Sequence, residues 1–253
     1  MKRIVMAIGN NYPDYNEKCG SPGLIDDIFA KSGKLISENE IVMTCGDSYP
    51  ENADTFYPVN IINAYDRVKY KYGYSKEIIA VFTRVEIRKI SNPSVQTGDN
   101  YTESGIPENG KTEEFLEPID IPEKSAIMTL MSDGYLPIII GAGFPVVREL
   151  QYYNNCHGMV NNYSSSSLLG TLIEADELII ISGHRDEFKG IVNSQELLNN
   201  ITFDALMDIY KRGKFKDNIA GKKVKAMLDF ISKGGKKAIL MSTGMDNVIT
   251  LIP

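Results

Sequence analysis

Six apolar runs divide the chain: "RIVMAIG" (Arg3–Gly9), "EIVMTCGD" (Glu40–Asp47), "EIIAVFTRVEI" (Glu77–Ile87), "YLPIIIGAG" (Tyr135–Gly143), "ELIIISG" (Glu177–Gly183) and "KAILMSTG" (Lys237–Gly244). Continuous apolar runs, rather than alternating ones, predict strands covered on both faces. Five of the six end in glycine or run straight into it, so the chain can turn tightly at the end of each.

Helical periodicity fills the spaces between them. "GLIDDIFAKSGKLI" (Gly23–Ile36) carries an apolar stripe at Leu24, Ile25, Ile28, Phe29 and Leu35. "EKSAIMTLMSDG" (Glu123–Gly134) predicts a helix closed by Gly134, and "GKKVKAMLDFISKGG" (Gly221–Gly235) one closed by a glycine pair. Strands alternating with helices predict an α/β fold, a three-layer αβα sandwich around a mostly parallel central sheet. Ligands of such sheets sit beyond the carboxyl ends of the strands, where the glycine-ended loops fall. The whole chain, 1–253, reads as one domain. Residues 90–122 break the pattern with Pro93, Pro107, Pro118 and Pro122 among many polar residues, and predict a small protruding lobe or lid inserted within it.

Composition narrows the function classes. The 253 residues are 43% apolar, enough for a sizeable core, and the net charge of −6 argues against a nucleic-acid binder. Nine lysines nonetheless lie between Lys211 and Lys237, so an anionic small molecule can be met locally. Cys19, Cys45 and Cys156 are widely spaced and odd in number, which fits a reducing cytoplasm. No apolar run reaches membrane-spanning length. His157 and His184 lack metal-ligand spacing, so no metal site is expected.

The candidate chemistry lies in the loops. In "AIGNN", Gly9 lets the backbone approach an anion and Asn10 and Asn11 add donors; an ordinary strand-to-helix turn is the bland alternative. "TCGDSYP" offers Gly46 and Asp47, the latter as a ligand, a base or a turn residue. "GAGFPVV" brings Gly141 and Gly143 close to a ligand or to a neighbouring strand. The stretch "GMVNNYSSSSLLG" (Gly158–Gly170) is polar without being charged, and its serines at a helix start can bind an anion through hydroxyls and amides.

In their order, these loops resemble those of the amino acid kinase family, and within it the carbamate kinases. "AIGNN" resembles the family's Ala-Leu-Gly-Gly-Asn-Ala loop, "TCGDSYP" its Thr-His-Gly-Asn-Gly-Pro-Gln loop, and "TRVEIRKISNPSVQTGDNYTE" (Thr83–Glu103) the segment leading into its protruding lobe. "LMSDGYLPIIIGAGFPVV" (Leu130–Val147) is similar to the helix, strand and four-glycine Ile-Pro-Val loop, and "KFKDNIAGKKVKAMLDF" (Lys214–Phe230) to the Phe-x-x-Gly-Ser-Met-Gly-Pro-Lys segment.

The resemblance implies phosphoryl transfer between ATP or ADP, with Mg, and carbamate or a related small carboxylate. The alternative is an inactive homologue that binds a nucleotide or small anion in a regulatory or structural role. It also implies a homodimer. Lys223 stands where the family has its Gly-Pro-Lys lysine and is the expected catalytic residue. Gly9, Asn10, Asn11, Gly46, Asp47, Gly141, Gly143, Asn161, Asn162 and Ser164 are expected around the phosphate and acceptor. Ser182, Gly183, Lys214, Gly221 and Lys222 are expected at the nucleotide. The chain departs from the pattern where the family reads Asp-Lys-Asp, because Asn161, Asn162 and Tyr163 stand there. Losing one charged transition-state contact costs about 2.7–4 kcal/mol, roughly 100- to 1,000-fold in rate. Lys222, Lys216 and Lys214 are the candidates to replace the missing loop lysine.

Overall fold

The computed structural model describes residues 1–9, 22–46, 56–88, 115–141, 143–156, 159–182, 199–213, 215, 219–242 and 244–253. In chain order the first half runs β1 (Arg3–Ile8), α1 (Pro22–Glu38), β2 (Glu40–Cys45), α2 (Phe56–Tyr72), β3 (Ile78–Val81), β4 (Arg84–Ile87), β5 (Phe115–Leu116), β6 (Pro118–Asp120), α3 (Lys124–Ser132) and β7 (Leu136–Ile140). The second half runs β8 (Phe144–Glu149), β9 (Tyr152–Asn155), β10 (Met159–Val160), α4 (Asn162–Leu172), β11 (Glu177–Ser182), β12 (Asn199–Thr202), α5 (Phe203–Lys211), α6 (Ile219–Ser232), β13 (Lys237–Ser242) and β14 (Asn247–Ile252).

Eight strands make the central sheet in the order β12-β14-β13-β11-β1-β2-β7-β3. The pairs β13–β11, β11–β1, β1–β2, β2–β7 and β7–β3 are parallel, so the expected mostly parallel sheet is present. The far edge departs from it: β14 folds back antiparallel on β13 and β12 runs parallel to β14. Side chains of β1 alternate between two cores. Ile4, Met6 and Ile8 join residues of α1 and α2 on one face, while Val5 and Ala7 join residues of α3, α4, α5 and α6 on the other. Burial on both faces is why these strands are continuously apolar.

The run Glu77–Ile87 is not one strand. β3 pairs with β7 as an edge of the central sheet, whereas β4 pairs with β8 and β6 in a separate four-stranded sheet, β6-β4-β8-β9. The physical reason lies at the break, where the Thr83 carbonyl accepts a 2.8 Å hydrogen bond from the Phe144 amide and the chain is drawn onto β8. Most of the expected lobe at 90–122, namely residues 90–114, lies outside the described residues. Its last part supplies β5, which pairs with β10, and β6.

The amino ends of the strands are tied by ion pairs: Lys2 with Glu177 at 2.6 Å, Arg3 with Glu40 at 2.9 Å and Lys236 with Asp176 at 2.5 Å. The Lys236 hydrogen bond, with one from the Arg3 amide, holds the Asp176 carboxyl below its ordinary range. That end is closed by short turns.

Helices α4 and α6 run in the same direction, because Tyr163 lies beside Lys223 and, seven residues on in each helix, Gly170 lies beside Phe230. The Phe230 ring fits only because both neighbours are glycine: a Cβ on Gly170 would meet it at 2.8 Å and one on Gly235 at 2.3 Å. Gly170→Ala is therefore expected to cost about 1–3 kcal/mol through overpacking. Thermal denaturation of the variant checks this, and an unchanged midpoint would show that Phe230 moves freely.

Candidate active site

Parallel register brings the glycine-ended loops to one edge. Ile8 aligns with Cys45 on one side and with Ile181 on the other, so Gly9, Gly46 and Ser182 follow neighbouring strands. The Gly9 amide donates to the Ile181 carbonyl at 3.2 Å, and the Gly141 amide to the Cys45 carbonyl at 2.7 Å. Gly46, Gly141 and Gly143 have φ of 82°, 71° and 91°, a left-handed conformation that disfavours a side chain. The starting points of four of the expected loops thus lie along one edge, at the carboxyl ends of β1, β2, β7 and β11.

Helix α4 opens on this edge. Asn161 is its N-cap, and its side-chain oxygen accepts from the Tyr163 and Ser164 amides at 3.0 and 3.2 Å. The amides that an anion would use at a bare helix start are therefore already taken by Asn161. The next residue faces the sheet, where Asn162 Nδ2 donates to the Ile8 carbonyl at 3.1 Å. One turn later, Ser166 Oγ lies 2.6 Å from the Asn162 carbonyl and 2.6 Å from Thr44 Oγ1. A carbonyl has no proton to give, so Ser166 donates to Asn162 and Thr44 donates to Ser166. Ser165, Ser166 and Ser167 are buried, leaving Ser164 as the most exposed member of the serine run. The helix thus begins at Asn162, two residues before the first serine.

Tyr163 covers the end of β1. A Cβ on Gly9 would lie 2.2 Å from the Tyr163 hydroxyl oxygen, so only glycine admits the phenol here. The ammonium of Lys223 lies 5.7 Å from the centroid of the same ring. Lys223 is 0% exposed, the largest buried cation among the described residues, while Lys222 beside it is half-buried and Gly221 is buried. A desolvated cation against a tyrosine face gains about 2 kcal/mol, which offsets only part of the cost of burying the charge.

Gly9, Gly46, Gly141, Asn161, Asn162, Ser164 and the backbone of Ser182 are gathered at the carboxyl ends of the strands, and Gly143 follows on the way into β8. Lys223 joins them from α6 through the Tyr163 ring, and Gly221 and Lys222 precede it in that helix. Asn10, Asn11, Asp47, Gly183, Lys214 and Lys216 lie outside the described residues. Sequence reasoning did not find Thr44 or Thr83, both buried at this edge, nor the tyrosine–lysine contact, since a threonine inside an apolar run gives no signal of what it faces. Among the described residues no three His, Cys, Asp or Glu side chains are grouped to hold a metal ion, and no helix is long and apolar enough to cross a membrane.

The family pattern of the amino acid kinases matches residues 2–242. The chain belongs to the amino acid kinase family. Within the family, it is similar to the carbamate kinases. The carbamate kinase of Thermoplasma volcanium is 28% identical over 207 residues, covering 74% of this chain and 67% of that protein. That of Thermoplasma acidophilum is 29% identical over 202 residues, covering 72% and 66%. The matched region therefore spans about two thirds of these relatives' length. In fold, the carbamate kinase of Giardia lamblia bound to AMP-PNP superposes with a TM-score of 0.77 at 18% identity, over 99% of this chain and 98% of that one.

Two expectations follow from the geometry. Asn161→Ala removes the α4 cap and should lower stability by about 1 kcal/mol, measured by urea denaturation. Cys45, buried and 3.4 Å from the Ile139 carbonyl, has its thiol pushed up to about 12 by burial. It should resist iodoacetamide at pH 8 until the protein unfolds. The unfolded thiol titrates near 9.0, so the native state holds the proton longer and this contribution to stability is lost as pH rises from 9.0 to about 12. Rapid native-state alkylation of Cys45 would contradict its burial.

Proposed function

We propose that this chain is a phosphotransferase of the carbamate kinase type, moving a phosphoryl group between ATP or ADP and carbamate or a related small carboxylate with a reduced set of cations. Phosphoryl transfer needs little covalent help from the protein; it needs in-line positioning and neutralisation of charge on the transferring oxygens. The observation that carries the reading is Lys223, buried against Tyr163 beside the end of β1, where the glycine-ended loops converge. Lys223 supplies the positive charge, the Gly9 and Gly141 amides being committed to the Ile181 and Cys45 carbonyls. Magnesium bound to the nucleotide phosphates would add positive charge to that of Lys223. The curated relatives are carbamate kinases and one structural neighbour is bound to AMP-PNP, which supports a nucleotide as one substrate.

A second reading is binding of a nucleotide or small anion without turnover. It is favoured by Asn162, whose amide is committed to the Ile8 carbonyl where the family resemblance expects a lysine, and by the Tyr163 ring over Lys223.

The test is calorimetric titration with ATP and Mg²⁺, followed by assays of transfer from ATP to carbamate and from carbamoyl phosphate to ADP. Lys223→Met, which keeps the side-chain length without the charge, should reduce turnover about 100- to 1,000-fold. Binding without turnover would establish the second reading, and no binding would overturn both. The homodimer and the lobe at 90–122 belong to the same proposal, and sedimentation equilibrium tests the former.

A further inference from the structure

One aromatic side chain of α4 touches two separate parts of the site. Tyr163 is the second residue of the helix, and its amide donates to the side chain of the cap residue Asn161 at 3.0 Å. Its neighbour Asn162 is tied to the Ile8 carbonyl at 3.1 Å. The ring therefore starts from an anchored backbone.

From there the phenol reaches the end of β1. A Cβ on Gly9 would meet the Tyr163 hydroxyl oxygen at 2.2 Å, Cζ at 3.2 Å and Cε1 at 3.5 Å. The Gly9 amide is itself bonded to the Ile181 carbonyl at 3.2 Å, which holds this backbone in line with β11. The same ring has the Lys223 ammonium over it at 5.7 Å from the centroid, inside the ~6 Å range in which an aromatic face attracts a cation. Tyr163 is 5% exposed and Lys223 0%, so water does little to screen that attraction.

The kind of contact matters as much as its place. A lysine head sits on a flexible four-carbon stem, and a set position requires something to hold it. An aromatic ring does so through its quadrupole and brings no net charge, whereas a carboxylate in the same place would neutralise the ammonium that it held.

We propose that Tyr163 is a positioning residue whose ring holds the Lys223 ammonium at a set distance from Gly9, by a contact that does not itself neutralise the charge. Through it, α6 and the end of β1 are registered to each other across α4. For what the ammonium meets, a phosphate oxygen, the inference rests on the function proposed above; for how the ammonium is held, it rests on the Tyr163 contacts alone.

Replacements at position 163 separate the electrons of the ring from its bulk. Tyr163→Phe keeps the ring without the hydroxyl, Tyr163→Leu keeps apolar volume without the ring, and progressively fluorinated phenylalanines keep the shape while weakening the quadrupole. In protein carrying isotope-labelled lysine, the Lys223 ε-methylene resonance is identified by its loss in Lys223→Met. It should stay in place in Tyr163→Phe and move in Tyr163→Leu, and also in Gly9→Ala, where the added methyl displaces the ring. By calorimetry, affinity for ATP with Mg²⁺ should stay within about twofold in Tyr163→Phe, fall about 10- to 30-fold in Tyr163→Leu, and fall stepwise along the fluorinated series. A Lys223 resonance unmoved in Tyr163→Leu, or an affinity indifferent to fluorination while Lys223→Met abolishes binding, would overturn the proposal. If the unaltered protein binds no ATP, the proposed function fails, and the resonance by itself decides whether the ring holds the lysine. If Tyr163→Leu does not fold, the fluorinated series, which preserves the packing, decides in its place.

Discussion

A single side-chain contact seats the functional end of the molecule: the amide of Asn162 donating to the carbonyl of Ile8. The carbonyl of the last residue of β1 needs a hydrogen-bond partner. Here it is met by the first residue of α4. That bond is worth only about 1 kcal/mol net, yet it sets where the helix begins and which side chains follow. Asn161 caps it, Tyr163 swings over Gly9, and Ser166 closes the bridge to Thr44 on the next strand.

From this seat follows the placement of charge. The Tyr163 ring, fixed between the bare backbone of Gly9 and α6, forms the wall against which Lys223 is buried. A buried ammonium is expensive, and a fold keeps one where its field is wanted or where the surrounding polar groups hold it in one orientation. Neutral Asn162 and aromatic Tyr163 make the lining of this cleft less charged than the family resemblance implies. On the proposed reading, Lys223 is the fully buried cation among the described residues that attracts an anion to this edge.

The core supports this arrangement by being exacting rather than merely apolar. α4 and α6 approach closely because Gly170 and Gly235 leave room for Phe230. The parallel register of β1, β2 and β11 aligns the loops to within one residue of each other. Small residues at the contacts and aligned strand ends do the positioning, so the loops can vary in chemistry without moving the edge from which they spring.

The alternation of buried strands and amphipathic helices was legible in the chain, because burial on both faces leaves an unbroken apolar run and burial on one face leaves a stripe. "RIVMAIG" and "ELIIISG" are unbroken for that reason, and they pair as parallel neighbours in the sheet. The break at Phe82–Thr83 was not read, although "RVEI" alternates charged and apolar residues where "IIAV" is continuous; what draws the chain into a second sheet is the Phe144 amide, distant in sequence. In the site, the order of loops and the substitution of Asn161, Asn162 and Tyr163 could be read directly. That Asn162 ties down β1, that three serines turn inward, and that Lys223 lies sealed beside Tyr163 were decided only by the tertiary structure, because each depends on groups brought from distant parts of the chain to one sheet edge.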